Sequence, residues 1–200
     1  MYMKGLFNLA NEIKVKEETW LRTAAEELVH PTPFPVLRRM PLQKPGRSRQ
    51  DYATPAEFLT SVRRLLHIVD FSCDLATSAE NTVCPRFYDE ATDSLKQSWV
   101  VGGWAWLNPP FANIRPWVEK AVAEAALGAN IALLLPASVG SAWWFDHVHG
   151  QAYAYFLRPR LTFVGETAPY IKDLALLLYA PFLAGGYATW DWRQLRGSAK

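Results

Sequence analysis

Short apolar runs alternating with amphipathic stretches predict an α/β protein, with a sheet that is mostly parallel in its core. Three observations carry this. Ile131–Leu135 is continuously apolar, as in a strand covered on both faces. Trp104–Leu107 is a second short apolar strand, and it runs directly into Asn108-Pro109-Pro110-Phe111. Between them Pro116–Leu127 reads as an alanine-rich amphipathic helix with Gly128 at its C′ position.

The remaining elements follow in order. Residues 11–29 are rich in good helix formers and predict a helix, ended by His30-Pro31 because the residue before a proline is pushed out of helical space. Residues 31–50 combine Pro31, Pro33, Pro35, Pro41 and Pro45 with Arg38, Arg39, Lys44, Arg47 and Arg49, an extended basic arm. As residues alone, it reads as a solvated connector or as a contact to a nucleic-acid backbone. Two domains are therefore expected: 1–50 as helix and arm, and 51–200 as the compact body. Thr54-Pro55 opens a helix, with Thr54 as N-cap, Pro55 at N1 and Glu57 at N3. Val69–Asp74 reads as a short buried strand ending on an acid. Trp143–His149 is a short helix, and Tyr153–Leu157, Leu161–Val164 and Leu174–Tyr179 are further strands.

Composition narrows the function. Of 200 residues, 21 are Lys or Arg and 19 are Asp or Glu, a formal charge of +2, so contact with nucleic acid has to come from local patches. Cys73 and Cys84, eleven positions apart, form neither a zinc framework nor a disulfide scaffold and read as free thiols. No signal peptide is evident, and the longest apolar runs are too short to span a membrane. Asp146, His147 and His149 lack the spacing of a metal site, and no metal is expected. A reducing, cytoplasmic setting is the default expectation.

The chemistry centres on Asn108-Pro109-Pro110-Phe111 at a strand end, where open α/β sheets bind ligands. A planar amino nitrogen such as adenine N6 is a poor nucleophile, because its lone pair is delocalised. The Asn108 side-chain carbonyl and the Pro109 backbone carbonyl could accept its two hydrogens. The proline pair would hold the second acceptor rigidly, and Phe111 would offer a face for an extruded base. The plainer reading of such a loop is a proline-rich turn after a strand. Asp74, at a strand end, can bind a donor or cap the next turn; Asp93, as a residue alone, reads as a helix or turn cap. Arg158 and Arg160, in alternate positions around Pro159, would share one face and could meet DNA phosphate, or could be solvated surface charges. Trp117 and Phe87 are expected in the core.

Residues 52–181 resemble the small, phage-type (Dam-like) DNA N6-adenine methyltransferases. The matching blocks occur in order: Thr54-Pro55-Ala56-Glu57-Phe58; Asp74 to Asn81; Cys84-Pro85-Arg86-Phe87-Tyr88 followed by Thr92-Asp93-Ser94-Leu95 and Trp99; Asn108 to Phe111 with Pro116 to Ala121; Leu133 to Ala137; and Arg158 to Phe163. The resemblance implies a Rossmann-like class I methyltransferase sheet with helices on both faces. It implies S-adenosyl-methionine as donor, bound near Thr54, Pro55, Asp74, Ala76, Ser78 and Asp93, and a catalytic loop of Asn108, Pro109, Pro110 and Phe111. Arg158 and Arg160 become DNA-binding candidates. Three departures stand out. The first donor loop, Asp74-Leu75-Ala76-Thr77-Ser78, has no glycine; Phe111 replaces the commoner Tyr; and Pro159 stands where Gly is usual.

The expected function is site-specific methylation of adenine N6 in double-stranded DNA by a monomer, in the cytoplasm of a bacterial or phage-infected host cell. Target recognition would fall to loops after Asn113 and around Ser138–Gly150. Two rivals remain open: a protein-glutamine N-methyltransferase, since an amide poses the same planar-nitrogen problem, and a catalytically decayed DNA-binding scaffold.

Overall fold

A computed structural model describes residues 52–194. The helix expected over 11–29 and the basic arm over 31–50 lie outside the described residues. Within them the chain forms α1 (Ala56–Leu66), β1 (Cys73–Asp74), β2 (Trp104–Leu107), α2 (Arg115–Ala126), β3 (Asn130–Pro136), α3 (Ala142–His147), β4 (Tyr153–Arg158), β5 (Leu174–Tyr179) and β6 (Gly186–Asp191). The strands make one six-stranded sheet in the order β1-β2-β3-β5-β4-β6.

The pairing is mixed. β1, β2 and β3 are parallel, and β5 enters antiparallel to both β3 and β4. β4 and β6 pair in parallel as well, so β5 alone runs against the other five strands, and the sheet is mostly parallel, as expected from the sequence. Continuous apolar runs such as β3 and β5 report burial on both faces and carry no information about direction. Alternate residues feed two cores. Leu133, Leu135, Leu177 and Tyr179 pack with Val118 and Ala121 of α2 and Trp144 of α3 on one face. Trp106, Ala132, Leu134, Leu176 and Leu178 pack with Phe58, Leu59 and Val62 of α1 on the other. Helices therefore cover both faces, and the class is α/β.

Several local expectations need correction. Pro55, not Thr54, is the N-cap of α1: its carbonyl accepts from the N–H groups of Phe58 and Leu59 at 3.1 Å each, and no side chain caps the helix. Thr54 instead turns its hydroxyl to Asn108. The strand read over Val69–Asp74 shrinks to Cys73–Asp74, since Val69 is 97% exposed and only the last residues reach the sheet. Leu161–Val164 is not a strand. Leu161 and Phe163 are buried in alternation, but the backbone runs over the sheet's face, where the Val164 N–H donates to the Ala53 carbonyl at 3.1 Å. β6 was not foreseen, because an edge strand whose residues are half-exposed lacks a continuous apolar run.

Cys73 and Cys84 are free and buried, and burial pushes both thiols up to about 11, which leaves them protonated at neutral pH. Among the described residues no helix is long and apolar enough to cross a membrane.

The long connection from β1 to β2 is held by one buried carboxylate. Glu124 of α2 accepts from the backbone N–H of Trp99 at 2.8 Å and from Lys120 Nζ at 2.7 Å. Burial raises its carboxyl, but these donors outweigh that and hold it below its usual range. Trp99 is fully buried, stacks on Trp117 and lies under the Lys120 ammonium. Glu124→Ala should strip the partner from the buried Trp99 N–H and lower stability by about 1–3 kcal/mol in urea unfolding. Glu124→Gln, which keeps an acceptor, should lose less.

Candidate active site at the carboxyl edge of the sheet

Parallel strands deliver their carboxyl ends to one edge. The Leu75 N–H donates to the Trp106 carbonyl at 2.8 Å, which sets Asp74 beside the end of β2, one turn of chain from Asn108. On its other side β1 meets Phe87 in a parallel bridge, with the Asp74 N–H donating to Arg86 and the Tyr88 N–H to Asp74. Asp74 is thereby clamped between two backbone segments and is 2% exposed.

A cleft of about 1100 Å³ opens at this edge, large enough for a nucleotide-sized ligand. Of the six residues expected near a donor, Thr54, Asp74, Ala76, Ser78 and Asp93 line it together, while Pro55 is buried at the start of α1. Asn108 and Pro110 line the same cleft. Trp117, expected as a core aromatic, also reaches its wall, and so do Tyr52, Asn81 and Tyr88, none of which was expected as a site residue, although Asn81 and Tyr88 lie within the matching blocks. Phe87 stays outside, in its bridge beside β1.

Asp93 has φ 48° and sits at the start of a 3-10 turn over Ser94–Lys96, where its side chain pairs with Lys96 at 2.8 Å and caps nothing. Its placement in the cleft wall therefore does not come from a capping role.

Asn108 has the most informative geometry. Its Nδ2 donates to the Tyr52 carbonyl at 2.7 Å and to Thr54 Oγ1 at 3.2 Å. A carbonyl can only accept, so this contact fixes which end of the amide is nitrogen. Its Oδ1 is buried and accepts no hydrogen bond. Of the three buried side-chain atoms without a partner among the described residues, only this one belongs to a residue of the cleft. Leaving such an acceptor unpaired costs about 1–3 kcal/mol, which an incoming N–H group would offset.

Phe111 does not line the cleft. It packs between both cores, with ring centroids 5.8 Å from Tyr170 and 6.3 Å from each of Tyr52 and Phe163. Tyr52 in turn stacks on Phe163 at 4.8 Å. An aromatic wall thus stands beside Asn108, its four rings drawn from three segments of the chain. Pro109 is buried.

Arg158 ends β4 and Arg160 lies beyond it, so the expected sharing of one face through strand alternation does not arise. Both are exposed, and Arg160 Nε binds Asp173 at 2.8 Å. Asp146 pairs with Arg115 at 3.0 Å, and His149 Nδ1 meets the Tyr187 hydroxyl at 2.7 Å.

Burial pushes the Asp74 carboxyl up to about 6, against the N–H groups of Val83 and Ala76 and the Thr77 hydroxyl, which pull it down. The folded chain then holds this proton at pH values where the unfolded chain has lost it. Between 3.8 and about 6 stability should therefore fall as pH rises, and stay level above that window. Asp74→Asn has no proton to lose. Urea unfolding between pH 4 and 7 should show a decline of about 2–3 kcal/mol in the native chain and a flatter profile in Asp74→Asn.

A family model described as DNA N-6-adenine-methyltransferase (Dam) matches residues 43–172. A DNA N-6-adenine-methyltransferase of Escherichia phage T1 is 31% identical over 118 residues, which cover 59% of this chain and 49% of that protein. A DNA N-6-adenine-methyltransferase of Haemophilus phage HP1 is 27% identical over 120 residues, covering 56% of this chain and 69% of the relative. The chain therefore spans about half the length of the phage T1 protein it matches. The matched stretch carries Thr54, Asp74, Asp93 and Asn108–Phe111, and by the extent of that match the chain belongs to the DNA N-6-adenine-methyltransferase (Dam) family.

Proposed function

We propose that the chain transfers a methyl group from S-adenosyl-methionine to N6 of adenine in double-stranded DNA, as a monomer. The observation that carries this reading is the Asn108 amide. Its nitrogen is committed to Tyr52 and Thr54, and its carbonyl oxygen is left as a desolvated acceptor. Adenine N6 offers the matching donor. Accepting an N6–H at Asn108 Oδ1, with the Pro109 carbonyl as second acceptor, returns lone-pair density to the nitrogen and orients it. Neither acceptor has to remove a proton before attack.

The cleft suits the donor chemically. Asp74, Ala76, Ser78 and Asp93 combine carboxylate acceptors with small side chains, and Val83, Leu95, Trp106 and Trp117 supply apolar wall. Ala76 and Ser78 stand in for the glycines usual in such loops, with a single methyl or hydroxymethyl of extra bulk. At the entry of α1, Thr54 lines the same cleft, and the buried Pro55 stands behind it. When bound, the donor supplies an electrophilic methyl on a sulfonium and departs as S-adenosyl-homocysteine.

Stacking and pairing hide N6 in a duplex, so the target adenine has to leave the helix. The wall that Phe111 forms with Tyr52 and Tyr170 is proposed to receive it. Arg158, exposed at the end of β4, is the better phosphate contact; Arg160 would have to exchange Asp173 for phosphate. The reaction belongs in the cytoplasm of a bacterial or phage-infected cell, where its substrate is.

The test is transfer of labelled methyl from S-adenosyl-methionine to unmethylated duplex DNA. The native chain should yield N6-methyladenine, and Asn108→Ala should reduce the rate on the order of a hundredfold or more with donor affinity retained. Label appearing only on protein would favour glutamine methylation. Donor binding absent altogether would sink the enzyme reading in favour of a decayed scaffold.

A further inference from the structure

The segment 52–54 does more than line the cleft. Three of its polar groups are engaged at once. The Tyr52 carbonyl accepts from Asn108 Nδ2 at 2.7 Å, and Thr54 Oγ1 accepts from the same nitrogen at 3.2 Å. The Ala53 carbonyl accepts from the Val164 N–H at 3.1 Å. The Tyr52 ring is held as well, stacked on Phe163 and edge-on to Tyr170. This short strap is therefore pinned on one side to the catalytic loop and on the other to the connection between β4 and β5.

We infer that Thr54 is a positioning residue for the Asn108 amide, holding its nitrogen so that Oδ1 alone remains to accept from the substrate amine. The inference rests on the transferase reading above and goes beyond it, because it assigns the Thr54 hydroxyl to the catalytic asparagine rather than to helix capping or to the donor.

The physical argument is one of counting. An asparagine amide has two N–H donors and a carbonyl acceptor, and its two orientations are related by a half-turn about the terminal bond. With a single acceptor at the nitrogen, the side chain keeps freedom to tilt. With two acceptors from one rigid strap, both N–H groups are used and the carbonyl direction is set. Thr54 is followed by Pro55, whose ring fixes the backbone that carries the hydroxyl and whose carbonyl starts α1. The orientation of the catalytic amide is in this way tied to the first turn of a helix packed through Phe58, Leu59 and Val62. Misplacement of a reacting group by an ångström costs up to about a hundredfold in rate, so an untethered amide should transfer slowly even when the donor binds normally.

The experiment compares the full chain with Thr54→Val, which keeps the shape and removes the acceptor, and with Thr54→Ser, which restores it. Single-turnover methylation of duplex DNA is measured alongside the affinity for S-adenosyl-homocysteine. Positioning predicts that Thr54→Val slows transfer on the order of ten- to a hundredfold, with affinity within about twofold of native, and that Thr54→Ser recovers most of the rate. Should Thr54→Val melt below the assay temperature, Thr54→Ala is read instead, below the melting points of both proteins. Weakened S-adenosyl-homocysteine binding with an unchanged transfer rate would make Thr54 a donor contact and overturn the inference. So would unchanged transfer in Thr54→Val, or failure of Thr54→Ser to recover the rate. An inactive native chain would overturn the transferase reading itself, a result distinguishable from all of these.

Discussion

Cys73 opposite Ala105 and Asp74 opposite Trp106 set the parallel register on which the cleft depends. With β1 and β2 running the same way, a buried carboxylate and the loop that begins at Asn108 leave the sheet at one edge. Reversing either strand would separate them by the length of the sheet. β3 extends the parallel run, and its register with β2 keeps Leu107 against Leu133, fully buried, directly before the loop. The loop therefore starts from fully buried ground in the middle of the sheet's parallel run.

A second constraint follows from what surrounds Asp74. Its burial raises its carboxyl to about 6 against the N–H groups that pull it down, so the site carries a carboxylate at neutral pH at some expense in stability. Asn108 adds another uncompensated group, a desolvated oxygen without a partner. Polar groups held in unfavourable surroundings by an otherwise well-packed scaffold are what a binding or catalytic edge requires, since ligand contacts then replace missing ones. The rest of the sheet bears this load: all six residues of β5 are buried, as are Ile131 through Pro136 of β3.

Much of this was legible from residues. β2, α2, β3, β4 and β5 follow from apolar runs and helical periodicity, and Gly128 sits where expected, past the end of α2 with φ 107°. Asp74 and Asn108 could be singled out because strand ends followed by polar or proline-rich turns are where α/β sheets place ligands; Asp93 was marked only by the resemblance to the methyltransferase family. The antiparallel entry of β5 was not legible, because a strand buried on both faces reads the same in either direction. Neither was β6, whose half-exposed residues carry too weak a pattern. Of the cleft residues that went unseen, Asn81 and Tyr88 lie within matching blocks without a role of their own, and Tyr52 and Trp117 stand away from the strand ends. Aromatic residues so close to helix starts and in long connections look like core to any periodicity argument.

The sequence by itself determined the class of fold and the strand ends that carry Asp74 and Asn108 to one cleft, because each is written in local runs of a few residues. Tertiary structure alone decided what the site's groups face. Thr54 follows the local rule for a helix cap, yet its hydroxyl meets an amide 54 positions away. Phe111 reads as a base-stacking face, yet it is one wall of a cluster with Tyr52, Phe163 and Tyr170. Capping and stacking preferences are worth about 1 kcal/mol each. A pairing that satisfies a buried amide nitrogen and closes two cores is worth more, and it is available only once distant segments of the chain have come together.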